Sequence, residues 1–212
     1  MNDWNSFGIG IPTVNRSDLL NANLHKYFNK FPFIDIFILD NGKQDIITRP
    51  NNFFIEQTPS NYGVAKSWNK LCSQIFQNHT HALIINDDIS FTHSPENVLS
   101  FLDSNTFDLA LPPEEYQWST FCLTKQCFLD IQFDENFYPA YYEDNDFKYQ
   151  ALQKNKTIIY SDHLIPSKFT KSGSRDLNTF DTLNKNRSYY IKKWGGLPNN
   201  ETFPYPFNKC IS

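Results

Sequence analysis

The chain of 212 residues lacks any apolar run close to the roughly twenty residues that a membrane-spanning helix needs. Its N-terminus has no basic region followed by an apolar one, so a secretory signal is not indicated. A strong net charge is also missing, because 19 Lys and Arg stand against 23 Asp and Glu. The net charge of −4 provides no overall attraction to nucleic acid or to an anionic membrane. We therefore expect a soluble, cytoplasmic protein that does not bind nucleic acid.

Cysteine is scarce, and its copies are widely spaced. Cys72, Cys122, Cys127 and Cys210 form no CxxC pair, so the sequence indicates neither a zinc knuckle nor a redox pair. We expect reduced thiols, several of them buried. Repeats and low-complexity segments are absent too. The length suits one domain with a complete core, and we predict a single domain over residues 1–212.

Short apolar segments alternate with helical patterns in the first half of the chain. We predict strands over residues 7–14, 33–39, 53–55 and 81–85. We predict one helix from Ser17 or Asp18 onward and another over residues 64–76. This alternation predicts parallel strands joined by right-handed crossovers, hence a doubly wound, nucleotide-binding half over about residues 1–100.

The second half, about residues 101–212, has a less regular pattern. Strands are predicted over residues 107–111 and 157–160, and a strand followed by a helix over residues 117–128. Further helices are predicted over residues 147–153 and near residues 189–193. No convincing linker separates the halves, so we expect one continuous sheet.

Two carboxylates follow the apolar run that ends at Ile85. The segment Asn86-Asp87-Asp88 would lie at the C-terminal edge of a buried strand, where open α/β sheets bind ligands. Mg²⁺ and Mn²⁺ take oxygen ligands and are commonly held by one or two carboxylates plus substrate phosphates. The pattern favours a metal-diphosphate site over an Asp pair that only caps a turn.

A second acidic cluster, Glu143, Asp144 and Asp146, follows a run of aromatic residues. Burial beside aromatic rings raises the pKa of a carboxyl group and brings a general base nearer to working pH. These acids also suit the first turn of a helix, where the helix dipole favours negative charge. That structural role accounts for two of them and leaves the aromatic run, which would suit a sugar-stacking wall, unexplained.

Five segments together resemble the family-2 glycosyltransferases of the GT-A fold. They are residues 11–16 (IPTVNR), 39–42 (LDNG), 61–65 (NYGVA) with Asn69, 86–88 (NDD, at the position of that family's DXD motif) and 133–147. Each segment is weak alone, but all five occur in the family's order and cover most of the chain. The tail over residues 189–196 (YYIKKWGG) is similar to that of some members.

The resemblance implies an α/β protein of GT-A type, a Rossmann-like mixed central sheet flanked by helices. It implies glycan biosynthesis by transfer of a sugar, with inversion, from a nucleotide-diphosphate donor to an acceptor hydroxyl. A UDP-sugar is the default donor, and Mn²⁺ or Mg²⁺ the implied cofactor. The identity of the acceptor is left open: it could be a glycan, a lipid-linked molecule or a protein-linked one. Its binding site is expected in the second half of the chain.

The resemblance also implies roles for individual residues. Asp144 matches the general base, with Glu143 beside it, and Asp88 the metal ligand, with His163 as a further metal or diphosphate ligand. The residues expected near the nucleotide or donor sugar are Thr13, Asn15, Arg16, Asp40, Asn41, Gly63, Lys66, Asn69, Asn86 and Asp87. The family often has Asp at the position of Asn86, and a neutral amide there predicts modest metal affinity. The role of His163 is inferred only from its position after the last predicted strand, since a lone histidine is more often an ordinary surface or core residue.

The C-terminal region carries a series of basic residues. It could cover the donor diphosphate or lie against anionic lipid, which leaves peripheral membrane contact open. We favour the third interpretation, a solvated face that keeps the protein in solution. The residues are Lys168, Lys171, Arg175, Lys185, Arg187, Lys192 and Lys193.

Two other functions compete with sugar transfer. A sugar-phosphate nucleotidyltransferase would need a loop rich in Gly and Lys or Arg after the first strand, and residues 11–18 contain one Arg and no Gly. A catalytically inactive carbohydrate-binding module of the same fold has no need of Asp88, Glu143 and Asp144, which this chain retains.

Overall fold

The computed structural model describes residues 4–26, 34–46, 51–89, 92–167 and 179–209. The strands are β1 (Phe7–Thr13), β2 (Asp35–Asp40), β3 (Phe53–Gln57), β4 (His81–Ile85), β5 (Leu109–Leu111), β6 (Thr120–Thr124) and β7 (Ile158–Tyr160). The helices are α1 (Ser17–Lys26), α2 (Gly63–Ile75), α3 (Pro95–Asp103), α4 (Lys125–Asp130), α5 (Glu143–Gln153) and α6 (Thr179–Trp194). Short 3₁₀ helices cover Trp4–Ser6, Glu114–Ser119, Asp162–Leu164 and Pro206–Asn208.

The described strands form one mixed sheet in the order β3-β2-β1-β4-β6-β5-β7. The four strands of the first half are parallel, as predicted, and β5 pairs in parallel with β7. Of the described strands, only β6 runs antiparallel to its neighbours, between β4 and β5. The ends of β1, β2, β4, β5 and β7 therefore meet at one edge of the sheet, together with the start of β6.

Each face of the sheet is covered by a separate hydrophobic cluster. Alternate residues of a strand point to opposite faces, so the residues of β4 divide between the two clusters. Leu83 and Ile85 pack with α1 and α3, whereas Ala82 and Ile84 pack with α2 and α4. The prediction of buried thiols is confirmed for the three described cysteines, Cys72, Cys122 and Cys127, which are free and buried. Cys210 lies outside the described residues.

The boundaries of several helices differ from the sequence prediction. Helix α3 was not predicted, although Ser94 accepts a hydrogen bond from the Asn97 N–H as its N-cap and Pro95 occupies its first turn. This Ser-Pro-Glu start is a recognisable helix signal. Helix α5 begins at Glu143 rather than at residue 147, because its acidic residues form its first turn. Helix α6 is also much longer than the predicted segment near residues 189–193.

The basic residues of α6 do not share one environment. Lys185, Arg187 and Lys192 are exposed, as a solvated face requires. Lys193 is buried, and its Nζ lies 2.7 Å from both Asp134 Oδ2 and Asp146 Oδ1, so for this residue the preferred interpretation is wrong. Lys168, Lys171 and Arg175 lie outside the described residues. None of the described helices is both long and apolar enough to cross a bilayer.

Candidate active site

The ends of β1 and β4 bring two of the predicted residues into direct contact. Thr13, the last residue of β1, donates its hydroxyl hydrogen to Asp87 Oδ2 at 2.7 Å. Asp87 follows the neighbouring strand β4 and is buried. The meeting of parallel strand ends at one sheet edge thus places residues 74 positions apart within hydrogen-bond distance.

Arg16 lies between the two carboxylates that follow β4. Its Nη1 is 3.6 Å from Asp87 Oδ1 and 3.2 Å from Asp88 Oδ2. Burial raises the pKa of Asp87 to about 6, even though the Thr13 hydroxyl and the Arg16 charge both favour its ionised form. We call Thr13, Arg16, Asp87 and Asp88 the Asp87 cluster. The positive charge beside its two carboxylates is the guanidinium group of Arg16.

Asp40, at the end of β2, organises the loop beside this cluster. It is fully buried, and its Oδ1 accepts hydrogen bonds from the Gly42 N–H at 2.9 Å and from Gln44 Nε2 at 3.0 Å. Gln44 also donates to Thr13 Oγ1 at 3.1 Å and accepts from the Arg16 N–H. Gln44 was not predicted as a site residue, because only the folded loop brings it to the cluster.

Asn15 and Asn41 lie beside the same loop but make different contacts. Asn15 is exposed, with a positive φ of 52°, and a Cβ at Gly42 would lie 2.7 Å from the Asn15 backbone nitrogen, a contact that favours glycine at position 42. The Asn41 side chain instead faces inward, where its Nδ2 donates to Ser67 Oγ at 3.0 Å and its Oδ1 accepts from the Tyr62 N–H at 3.0 Å.

The start of α2 joins the first half of the chain to the segment before Glu143. Gly63 has a φ of 75°, and a Cβ there would lie 2.8 Å from the carbonyl oxygen of Pro139. The Asn69 side chain holds the same segment, since its Nδ2 donates to the Phe133 carbonyl at 2.8 Å and its Oδ1 accepts from the Phe133 N–H at 3.0 Å. The Lys66 ammonium lies 4.2 Å from the centre of the Tyr62 ring.

Glu143 and Asp144 begin α5 after an unusual turn. Tyr141 and Tyr142 both have positive φ values, 79° and 74°, in a region that non-glycine residues rarely adopt. Asn186 of α6, fully buried, donates its Nδ2 hydrogens to the carbonyl oxygens of Ala140 at 2.7 Å and Tyr141 at 3.3 Å. The turn that aims the acidic residues is therefore held by a helix far away in sequence.

The acids of this turn differ in their surroundings. Burial raises the pKa of Glu143 and of Asp144, and the charge of Asp144 raises that of Glu143 further. Asp146 is fully buried and bonded at its Oδ1 to Trp194 Nε1 at 2.7 Å and to Lys193. Asp146 therefore anchors α6, whereas Asp144 is only partly buried and faces a cavity.

This cavity of about 310 Å³ lies beside the second acidic cluster. It is lined by Asp144 together with Trp118 and with residues from the ends of β5 and β7. Trp118 precedes Ser119, whose carbonyl oxygen accepts a hydrogen bond from the Asn86 N–H at 3.0 Å. Asp144 and Asp88 therefore lie at the same edge of the sheet. We call this space the Asp144 cavity.

His163 lies in the 3₁₀ helix after β7. Its ring stacks against those of His93 and Phe101, with centroid distances of 4.7 and 4.8 Å. Leu164 and Ile89, which follow His163 and Asp88, belong to the same hydrophobic cluster. In the part of the chain that the structure describes, no three His, Cys, Asp or Glu side chains are grouped so as to hold a metal ion. A metal-binding role for His163 stays a prediction.

Comparison with known proteins gives matches of structure but not of sequence. No protein-family model matches the chain, and no curated protein matches it. Among solved structures, S. aureus TarS matches with a TM-score of 0.58 and 14% identity over 88% of this chain and 40% of TarS. GalNAc-T7, crystallised with UDP, GalNAc and Mn²⁺, matches with a TM-score of 0.64 and 9% identity over 90% of this chain and 49% of its own.

A third match is glucosyl-3-phosphoglycerate synthase from Mycobacterium tuberculosis, in complex with Mn²⁺, UDP and glucosyl-3-phosphoglycerate. Its TM-score is 0.59 and its identity 8%, over 79% of this chain and 73% of the synthase. The chain spans less than half the length of TarS and GalNAc-T7. At identities this low, the structural matches establish the architecture alone. The predicted architecture is confirmed, because the chain has the GT-A fold of these glycosyltransferases.

Proposed function

We propose that the chain is an inverting glycosyltransferase that moves a sugar from a UDP-sugar to an acceptor hydroxyl. One observation carries the proposal. The Asp87 cluster and the Asp144 cavity lie at the same sheet edge and are joined through Asn86, Ser119 and Trp118. An acidic group able to hold a cation and a separate carboxyl group beside an open cavity are the two parts that a single displacement needs.

The donor is assigned to the side of the Asp87 cluster, at the ends of β1, β2 and β4. The UDP found in GalNAc-T7 and in glucosyl-3-phosphoglycerate synthase supports this nucleotide. Asn41 and Asn69 hold neighbouring protein segments, so for them we propose a role in shaping the donor pocket. The proposed donor-side residues are Thr13, Asn15, Arg16, Asp40, Asn41, Gly63, Lys66, Asn69, Asn86 and Asp87.

The residues of the Asp87 cluster fit a divalent cation. They already stabilise one positive group, and Asp88 is partly exposed. Such sites are completed by substrate phosphates, so few protein ligands suffice. Asp88, with His163, would hold Mn²⁺ or Mg²⁺; Mn²⁺ accompanies UDP in two of the matched structures. When bound, the ion supplies Lewis acidity that stabilises the departing diphosphate.

Asp144 is the proposed general base. Its raised pKa, caused mainly by burial, makes the carboxylate a better proton acceptor for the acceptor hydroxyl than an exposed Asp. Asn145 holds its Oδ1 through its N–H at 2.8 Å and its Nδ2 at 2.9 Å, which fixes the side chain. As the hydroxyl oxygen bonds to the anomeric carbon, its proton passes to Asp144 and the bond to the diphosphate breaks on the opposite side. A cytoplasmic location for this reaction stays a prediction.

The first test is Asp144→Asn. We expect sugar transfer to fall by about 10²–10⁴, the usual contribution of a positioned base, while the Kd for UDP measured by calorimetry stays within about twofold, because Asp144 lies on the acceptor side. Glu115→Gln is the matched control, an exposed acid in the neighbouring 3₁₀ helix. Equal loss of UDP binding and transfer would contradict the role of Asp144. A wild-type protein that binds sugars but neither UDP nor UDP-sugars would instead favour a carbohydrate-binding module.

A further inference from the structure

The lining of the Asp144 cavity has an uneven distribution of charge. It contains three carboxylates, those of Asp144, Glu114 and Glu201. Of the described residues that line it, only Lys148 is positively charged. The Lys148 ammonium lies 2.7 Å from Glu114 Oε1, so its charge is already compensated within the protein. The described lining of the cavity therefore has a net negative charge.

The remaining lining combines aromatic rings with amides. Trp118, Tyr149 and Tyr160 contribute rings, and Asn145 and Asn199 contribute amide groups. Ligand sites of this kind use apolar surfaces for contact and a few polar groups to fix orientation. Amide and carboxylate groups bind hydroxyl groups well, whereas a phosphate or carboxylate ligand needs Arg, Lys or free N–H groups.

We infer that the Asp144 cavity selects an uncharged, hydroxyl-rich acceptor, a neutral sugar, and rejects phosphorylated or carboxylated acceptors. The inference rests on the proposed function and goes further by naming the acceptor class. It separates this chain from the matched synthase, which was crystallised with the anionic phosphoglyceric acid. The volume of about 310 Å³ lies at the small end of the usual range of ligand sites, roughly 300–1,000 Å³. It suits a small sugar unit rather than a long polymer segment.

The Lys148–Glu114 pair is the part of the cavity that sets this selectivity. Lys148 also lies 5.5 Å from the centre of the Tyr160 ring, so its position is supported from two sides. Glu114 is largely exposed, and its removal does not open the core. Replacing Glu114 would leave the Lys148 charge uncompensated and make the cavity more tolerant of an anion.

The experiment uses the full chain with Mn²⁺ and a UDP-sugar that it turns over. Transfer is measured to neutral p-nitrophenyl glycosides, to the corresponding sugar 6-phosphates and to 3-phosphoglyceric acid. We expect kcat/KM for the best neutral glycoside to exceed that for its phosphorylated counterpart by at least about tenfold, because like charges brought together in a binding site are strongly disfavoured. Glu114→Gln should narrow this ratio by about three- to tenfold, mainly through the KM of the anionic acceptor.

Asp130→Asn is the matched control. It breaks the ion pair between Asp130 and Lys156, which precedes β7, whereas the cavity lies at the end of that strand. This variant should leave the acceptor ratio unchanged. Equal or better transfer to the anionic acceptors, or failure of every neutral glycoside to accept sugar while the UDP-sugar is still hydrolysed, would overturn the inference and leave the proposed function standing. Absence of both UDP binding and UDP-sugar turnover would contradict the proposed function itself.

Discussion

The two acidic clusters at the sheet edge look alike in sequence but are neutralised in different ways. Asp87 and Asp88 share Arg16, whose side chain is 15% exposed. Asp146 shares the buried Lys193 with Asp134. We expect a cation from solution to replace Arg16 in the open Asp87 cluster more readily than Lys193, the sealed cation, which is 7% exposed and lies beside the fully buried Asp146. We therefore expect the carboxylates beside Arg16 to serve ligand binding, whereas Asp146 holds helix α6.

The largest expected effect comes from removing the sealed cation. Lys193→Met leaves Asp134 and Asp146 without their positive partner, and Asp146 is fully buried. Losing one member of a buried ion pair costs roughly 3–5 kcal/mol, and we expect the free energy of unfolding, measured in guanidinium chloride, to fall by that amount. Lys192→Met, at the exposed neighbouring position, is the control. An equal fall in the free energy of unfolding for both variants would show that the ion pairs of Lys193 do not stabilise the fold.

A smaller effect is expected from removing the cation of the open cluster. Arg16→Met should lower the free energy of unfolding by about 1–3 kcal/mol, the usual contribution of a hydrogen bond to a charged group, because Asp87 keeps its bond from Thr13 and Asp88 is partly exposed to water. Without the guanidinium, the two carboxylates should also bind Mn²⁺ more tightly. Mn²⁺ should therefore raise the melting temperature of Arg16→Met more than that of the wild type.

Arg16→Lys keeps the positive charge and serves as the control for this comparison. Its response to Mn²⁺ should stay close to that of the wild type, since an ammonium still neutralises the pair. Mn²⁺ should not rescue Lys193→Met, because Asp146, which loses its partner, is fully buried. An identical Mn²⁺ response in Arg16→Met and the wild type would argue against a cation site at Asp87 and Asp88.

The sequence predicts local features well, because each depends on a short pattern. The apolar runs before Asp40 and Asn86 predicted buried strands that end in polar residues, and both strands are present. Thr13 and Asp87 were both predicted to lie near the nucleotide, and the parallel pairing of β1 with β4 explains why they meet. Helix α3 could have been predicted from its Ser-Pro-Glu start.

Partners that are distant in sequence could not be predicted in this way. Nothing near Lys193 distinguishes it from the exposed Lys192; only the helix phase of α6 against α5 buries one and exposes the other. Asn186 is a similar case, since its contact with Ala140 spans 46 residues. Gln44 reaches Thr13 and Arg16 through the path of a loop, which has no periodicity to interpret.

A pH-dependent effect is expected at Glu143, the one acid of its turn with a buried oxygen, Oε2, that has no hydrogen-bond partner among the described residues. Burial, and then the charge of Asp144, raises its pKa above the value it has in the unfolded chain. Its contribution to stability is therefore complete below the ordinary pKa of Glu and is lost as the pH rises through the folded-state pKa. Glu143→Gln has no such proton to lose, so the variant should gain on the wild type as the pH rises, by at most about 1.4 kcal/mol per pH unit.

The measurement is the free energy of unfolding of both proteins from pH 4.5 to 8, taken in guanidinium chloride. Glu115→Gln, at an exposed position of the preceding 3₁₀ helix, is the control and should follow the wild type at every pH. Parallel curves for Glu143→Gln and the wild type would mean that Glu143 ionises at an ordinary pH in the folded protein. A second negative charge beside Asp144 would then cost little, and the pKa of Glu143 would be less perturbed than its burial implies.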